Sequence, residues 1–210
     1  MLKGDILIII MLVNKKIPVG ISGRHVHLTQ ATLDILFGCK NYELKLFKRL
    51  SQTGQFAAEE KINISNFEGK ILSGVRVLGP VRNFDQIEIS QSDNLRYNFK
   101  APIRSSGNIK NSGKAILIGP KGQVEISEGV IISDRHIHLS IEDANKFNIK
   151  DKQIVNIKIK GIKSGILGKI LCRVDKNFVL ECHLDTDDGS AFLLKNGDLV
   201  ELIYDPILID

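Results

Sequence analysis

The sequence predicts a mainly β chain with an internal duplication, and three observations carry that reading. One phrase is written twice, as Ile21-Ser-Gly-Arg24-His25-Val-His27-Leu28 and as Ile132-Ser-Asp-Arg135-His136-Ile-His138-Leu139. Short runs rich in Ile, Val and Leu recur between Gly, Pro and Asn punctuation, which is the pattern of strands joined by tight turns. Helical signals are few and short. Many short strands with little helix favour barrels or sandwiches.

Taken in order, the chain opens with an apolar run from Ile6 to Val13. It is too short to span a membrane. It has the look of a signal-peptide core, but Asn14-Lys15-Lys16-Ile17-Pro18 follows instead of a small-residue cleavage site. Two readings stand: a buried strand, or an over-extended start with Met11 as the first residue.

The repeated phrase comes next. Val19, Ile21, Ser22, Arg24, His25, His27 and Leu28 recur at one constant spacing as Val130, Ile132, Ser133, Arg135, His136, His138 and Leu139. Each copy runs into a hydroxyl residue, Thr29 or Ser140, able to cap a helix. Ser140-Ile-Glu-Asp143 is a capping-box variant, and Gly38 is a helix stop after Leu36-Phe37. The repeated unit is strand, His-x-His, short helix. Two copies imply halves facing one another, since a solenoid needs three or more units.

Further strands are expected at Lys61 to Ser65, Ile71 to Leu78, Gln86 to Ser90, Ala115 to Ile118, Val124 to Ile126, Ile154 to Ile159 and Phe178 to Leu184. Gly79-Pro80, Gly119-Pro120, Gly161 and Asn196-Gly197-Asp198 punctuate them. The stretch from Ser105 to Gly113 reads as a linker or mobile loop.

Composition bounds the function. The 210 residues are 43% hydrophobic and 25% charged, which suits a globular protein with a substantial core. The net charge of +5 suits anionic partners, phosphate-rich cofactors as well as nucleic acid, or equally a Lys-rich solvated surface. Three cysteines without a C-x-x-C pair argue against a disulfide framework and for a reducing compartment. Cys182 abuts His183, yet a buried structural thiol is the heavier reading. The glycines form neither a P-loop nor a dinucleotide fingerprint.

The chemistry lies in the repeat. Residues two apart on a strand project to one face, so His25 pairs with His27 and His136 with His138, while Val26 and Ile137 face the other way. Two imidazoles side by side are half of a zinc shell, which takes three or four N, S or O ligands. The missing ligands must come from elsewhere. His183 is the one remaining histidine, within His183-Leu-Asp185-Thr-Asp187-Asp188. Glu88 and Glu125 each sit in an alternating strand, and periodicity does not choose between them. Arg82, in a turn near Gln86 and Glu88, can grip an oxyanion bidentately.

Six segments in order now carry a resemblance: Pro18 to Leu28, Ser51 to Glu60, Gly79 to Ser90, Ala101-Pro-Ile-Arg-Ser-Ser-Gly107, Ser133 to Leu139, and His183 to Asp187. Together they resemble the PduL-type phosphotransacylases (phosphate propanoyltransferases), from about Ile17 onward. The resemblance implies two β-barrels capped by short helices, each carrying one strand–His-x-His–helix unit, with two zinc ions between them. It implies residues 1–24 with 129–210 as a first, discontinuous barrel and 25–128 as the second. It also implies His25, His27 and Glu88 as ligands of one zinc, and His136, His138 and His183 as ligands of the other. Arg82 becomes the phosphate-binding, catalytic arginine, with Ser22, Gln52, Gln55, Gln86, Ser106 and Arg173 at substrate-binding positions.

The activity implied is reversible transfer of a short acyl group, propanoyl or acetyl, between coenzyme A and phosphate. The partners implied are acyl-CoA, CoA, phosphate and acyl phosphate, with no nucleic acid and no membrane, in a cytoplasmic homodimer. Thr53 stands where the family usually has proline, Asp85 where threonine is common, and Asp188 where glutamate is frequent. Asp85 adds negative charge beside the phosphate-binding turn, an expected weakening of anion affinity. The segment from Ile6 to Val13 is apolar throughout, not amphipathic, so it does not support microcompartment targeting. Two rival readings are a two-zinc hydrolase, since the same shell can activate water, and a non-catalytic, zinc-stabilised barrel that binds a partner.

Overall fold

The computed structural model describes residues 16–203. The apolar run near the amino terminus and the choice between Met1 and Met11 lie outside the described residues. The fold is mainly β, with two closed six-stranded barrels and four short helices among the described residues.

The first ring contains β1 (Lys16–Ser22), β10 (His136–Leu139), β11 (Ile154–Ile159), β12 (Gly165–Val174), β13 (Glu181–Asp185) and β14 (Leu199–Ile203). Its order is β1-β13-β10-β12-β11-β14. The second ring contains β2 (His25–His27), β4 (Phe56–Ser65), β5 (Ile71–Gly79), β6 (Gln86–Ile89), β8 (Gly113–Ile118) and β9 (Gln123–Ser133). There the order runs β4-β5-β2-β6-β9, and β8 closes the ring by pairing with both β9 and β4. Two short strands, β3 (Leu46–Arg49) and β7 (Ile103–Arg104), add to its edges. Each ring surrounds its own apolar core.

The repeated phrase is where the chain changes barrel. β1 pairs with β13 in the first ring, and the chain then turns at Gly23-Arg24 to enter β2 of the second. β9 pairs with β6 in the second ring, and the chain turns at Asp134-Arg135 to enter β10 of the first. This reciprocal exchange puts both His-x-His pairs at the junction of the two rings.

Register is fixed there by burial. Val26, Leu28, Ile137 and Leu139 are all 1% exposed or less. Burying one such side chain stabilises the fold by about 1.5–3 kcal/mol. A one-residue slip would send these into the cleft and the imidazoles into the core, so packing dictates which way the histidines face.

The helices follow the expected caps. The Thr29 hydroxyl accepts from Thr32 N at 3.2 Å at the start of α1 (Gln30–Phe37), which ends at Gly38 with φ 68. Ser140 caps α3 (Ile141–Phe147) by accepting from Asp143 N at 3.0 Å, and its hydroxyl donates back to Asp143 Oδ2 at 2.7 Å.

The structure reveals a second duplicated unit that the residue types conceal. β6 leads through Ser90 into α2 (Gln91–Tyr97), and β13 leads through Asp185 into α4 (Thr186–Phe192); each of these residues caps its helix. The cross-strand partners match. His25 lies opposite Glu88 and His27 opposite Gln86, just as His136 lies opposite His183 and His138 opposite Glu181. Even the repeated arginines correspond, Arg24 Nε lying 3.2 Å from Asp93 Oδ2 and Arg135 Nη2 lying 3.0 Å from Asp188 Oδ1.

Three expectations need adjustment. The strand expected from Phe178 begins at Glu181, because the Phe178 ring stacks on His138 at 3.9 Å instead of joining the sheet. The segment 105–113 joins β7 to β8 within one barrel and is not an inter-domain linker. Val124 to Ile126 does not end as a separate strand; β9 continues through Gly129, whose φ of 136 suits glycine.

Candidate metal and anion site between the barrels

A cleft of about 560 Å³ opens at the junction and is lined from both rings. Two groups of donor side chains face it. In one, donor atoms of His25, His27 and Glu88 all lie within 4.8 Å of one another; in the other, so do those of His136, His138 and His183. Glu88 Oε2 lies 3.6 Å from His25 Nε2 and Glu88 Oε1 lies 3.9 Å from His27 Nε2. Ligand atoms sharing one tetrahedral zinc are separated by roughly 3.3 Å, so these spacings suit a common ion. Glu125 is in neither group.

The hydrogen bonds set the tautomers. His25 Nδ1 donates to Gly23 O at 2.9 Å and His136 Nδ1 donates to Asp134 O at 2.9 Å. A carbonyl only accepts, so the proton of each ring is on Nδ1 and the Nε2 lone pair is free for a metal. Both nitrogens of His138 and Nε2 of His183 are buried without a hydrogen-bond partner. Leaving a buried polar atom unpaired costs about 1–3 kcal/mol. A bound cation is the partner that these donor sets fit.

The electrostatics agree. Burial, reinforced by the His25 imidazole and Arg82, pushes His27 down to about 2. Burial with His183 and His136 does the same to His138, down to about 2, and burial with His136 brings His183 to about 3. His136 is also lowered, chiefly by burial. Burial alone would lower His25, but the Glu88 charge together with hydrogen bonding to Glu88 and Gly23 raises the ring above its ordinary value. Burial likewise opposes Glu88 ionisation, and the facing His25 overrides it, holding the carboxyl well below its usual range. The second group is thus a set of neutral imidazoles, the form a metal binds.

These directions predict an acid response of the metal-free protein. A histidine with a lowered folded pKa adds stability above its unfolded value near 6.5, and that stability is lost as pH falls below it. His25, with a raised pKa, acts in the opposite sense, but four lowered rings outnumber it. Each contributes up to about 1.4 kcal/mol per pH unit below 6.5. Chelated protein should therefore show a lower urea midpoint at pH 5.5 than at pH 7.5. Equal midpoints would contradict the assignment of neutral buried rings.

Arg82 and Arg173 face the same cleft. The Arg82 backbone N donates to Leu28 O at 2.9 Å, which fixes the turn beside the end of β2. Burial lowers the Arg82 guanidinium and the Arg173 cation adds to this, against the opposing pull of the Glu88 carboxylate. The arginine ion pairs among the described residues use Arg24 and Arg135, not Arg82 or Arg173.

Ser22, Gln55 and Ser106 line the cleft as well. Ser106 Oγ donates to Glu88 Oε1 at 2.8 Å. Gln86 is 0% exposed and stands behind the wall, donating to Glu88 Oε1 at 2.6 Å while its Oε1 accepts from Gly107 N at 2.7 Å. Gln52 spends its amide on the other barrel: Nε2 donates to Val179 O at 3.0 Å and Oε1 accepts from Val179 N at 3.2 Å. Asp85 is not among the residues that line the cleft. Its carboxylate accepts from Thr29 N at 2.7 Å and from Thr32 Oγ1 at 2.6 Å, at the start of α1. Residues that the sequence reading passed over are Ser51, Phe178 and Glu181. Glu181 shares a strand face with His183, and that spacing was the available signal.

Comparison with known proteins gives a consistent picture. The family model described as phosphate propanoyltransferase matches residues 18–195. A phosphate propanoyltransferase of Lachnoclostridium phytofermentans is 43% identical over 187 residues, covering 89% of this chain and 87% of that protein. That of Thermotoga maritima is 44% identical over 188 residues, covering 89% of each. That of Listeria monocytogenes is 39% identical over 181 residues, covering 86% of this chain and 84% of the relative.

Proposed function

The chain belongs to the phosphate propanoyltransferase family, and from that premise we propose that the inter-barrel cleft transfers a propanoyl or acetyl group reversibly between coenzyme A and phosphate, with two zinc ions. The chain is an enzyme, a phosphate acyltransferase. The observation that carries the reading is the meeting of two three-donor groups with Arg82 and Arg173 in one cleft.

His25, His27 and Glu88 would hold one zinc, and His136, His138 and His183 the other. When bound, zinc supplies Lewis acidity toward the thioester carbonyl and a soft partner for sulfur. Arg82 binds phosphate through its planar fork, and Arg173 adds a second positive charge. Holding the anion against the acyl carbon turns a two-body encounter into a positioned one. A phosphate oxygen forms the new bond to the acyl carbon, the carbon–sulfur bond breaks, and the proton of hydrogen phosphate ends on the thiol of CoA.

We read the transfer as direct, with no acyl-enzyme. Cys172 and Cys182 are 0% exposed in a barrel core, and burial raises both thiols, Cys172 to about 12. Such thiols are poor nucleophiles. Ser106 is tied to Glu88 and Gln86.

The test is thiol release from propanoyl-CoA on metal-quantified protein. Release should require phosphate and produce propanoyl phosphate; release unchanged without phosphate would mean a hydrolase. Labelled CoA should not exchange into propanoyl-CoA when phosphate is omitted, and such exchange would require an acyl-enzyme. The family likeness also supports proposing a cytoplasmic homodimer, and a solution mass twice that of the chain tests the assembly.

A further inference from the structure

The duplicated architecture places one polar side chain beside each half-site at the same register position. In one barrel it is Gln86, opposite His27, and in the other it is Glu181, opposite His138. Gln86 braces its half-site: it donates to Glu88 and holds the Ser106–Gly107 loop. Glu181 has no counterpart role in the transfer chemistry, yet its surroundings are built around it.

On β13 the residues alternate, with Cys182 and Leu184 in the core at 0% and 2% exposure and Glu181 and His183 on the cleft face. The Glu181 side chain is 15% exposed and its Oε2 lies 3.2 Å from His183 Nε2. Across the cleft, the Ser51 hydroxyl of the second barrel donates to the same Glu181 oxygen. The neighbouring strand makes room with a glycine: Gly20 pairs with His183, and a Cβ there would stand 2.7 Å from Glu181 Cδ. Next to this contact, Gln52 binds the backbone of Val179. Glu181 therefore touches the triad of one barrel and the loop of the other.

We propose that Glu181 is a positioning residue of the barrel-one half-site, standing against the His183 ring and docking the Ser51–Gln52 loop of the other barrel over it. The inference rests on the reading of His136, His138 and His183 as a metal half-site. Ser51, its hydrogen-bond partner, and His183, its close neighbour, are held in place and do not react, so the effect should appear in metal affinity as well as in rate. Loss of a residue that orients a metal ligand typically weakens affinity or activity about 10–100-fold.

The test is Co2+ titration of the chelated full-length chain, followed by its visible absorption, alongside thermal melting. Wild type should bind two ions. Glu181→Ala should weaken one of them at least about tenfold and change its spectrum, leaving the other ion and the metal-free melting temperature in place. Glu181→Gln keeps an oxygen acceptor for Ser51 and should recover most of the loss, and Ser51→Ala should move in the same direction by less. Two ions bound unaltered in Glu181→Ala, or both weakened together with a fall in melting temperature, would overturn the positioning role. A wild-type protein that binds no Co2+ would instead overturn the metal reading and this inference with it.

Discussion

Replacing His183 by alanine is expected to reduce phosphate-dependent thiol release from propanoyl-CoA at least about 1,000-fold, close to 4 kcal/mol of transition-state stabilisation. His183 is the third donor of its group, packed 4.9 Å from the His136 ring and 4.5 Å from the His138 ring. Its Nε2 has no hydrogen-bond partner, and two imidazoles alone make an incomplete zinc shell. Zinc content should fall from two ions to one, because His25, His27 and Glu88 stand apart as a separate group. The metal-free fold should tolerate the change at neutral pH, since the lost ring contributes a buried, unpaired nitrogen. Folding measured by far-UV circular dichroism, with zinc counted by atomic absorption, checks both parts. Retention of two ions with activity within tenfold of wild type would rule out the ligand role.

The Arg82→Ala variant should lose a comparable amount through a different parameter. Removing one positioned donor from an anionic transition state commonly costs about 100- to 1,000-fold. The loss is expected in kcat/KM for phosphate, while KM for acyl-CoA moves less than about threefold, because the role proposed for the guanidinium is to hold phosphate. Arg82→Lys should recover only part of it, since an ammonium keeps the charge but not the bidentate fork. Neighbouring Asp85 should have little influence on this constant, its carboxylate being held by Thr29 and Thr32. Equal losses in both KM values would point instead to a general collapse of the cleft.

Much of this was legible in residue order. The His-x-His phrases announced two half-sites because strand alternation alone puts residues two apart on one face. Thr29, Ser140 and Gly38 marked helix ends because capping is a local matter of one side chain and one turn. The choice of Glu88 over Glu125 was not available locally, as both occupy alternating strands of the same kind; in the fold, β6 pairs with β2 and sets Glu88 opposite His25. The equivalence of β6–α2 with β13–α4 was also hidden. Strand pairing repeats there while the residue types differ, glutamate standing where the other copy has histidine.

Gln52 and Gln86 carry protein contacts that a positional resemblance does not record. Gln52 lines the cleft while its amide binds Val179, and Gln86 lies behind Glu88, bound to it and to Gly107. Glu181, outside every motif, and Ser51, which opens one without an assigned role, meet only because two barrels face each other.

The sequence by itself determined the duplicated unit, the outward pair of imidazoles in each copy and the helix caps, all of which depend on neighbours a few positions away. Tertiary structure brought Glu88 and His183 beside the two imidazole pairs, Arg82 and Arg173 into one cleft and Glu181 into contact across it. The reason is physical: the chain crosses between rings at Gly23-Arg24 and Asp134-Arg135, so the groups that meet in the cleft are joined by strand pairing over long separations, and no local pattern records which strands will pair.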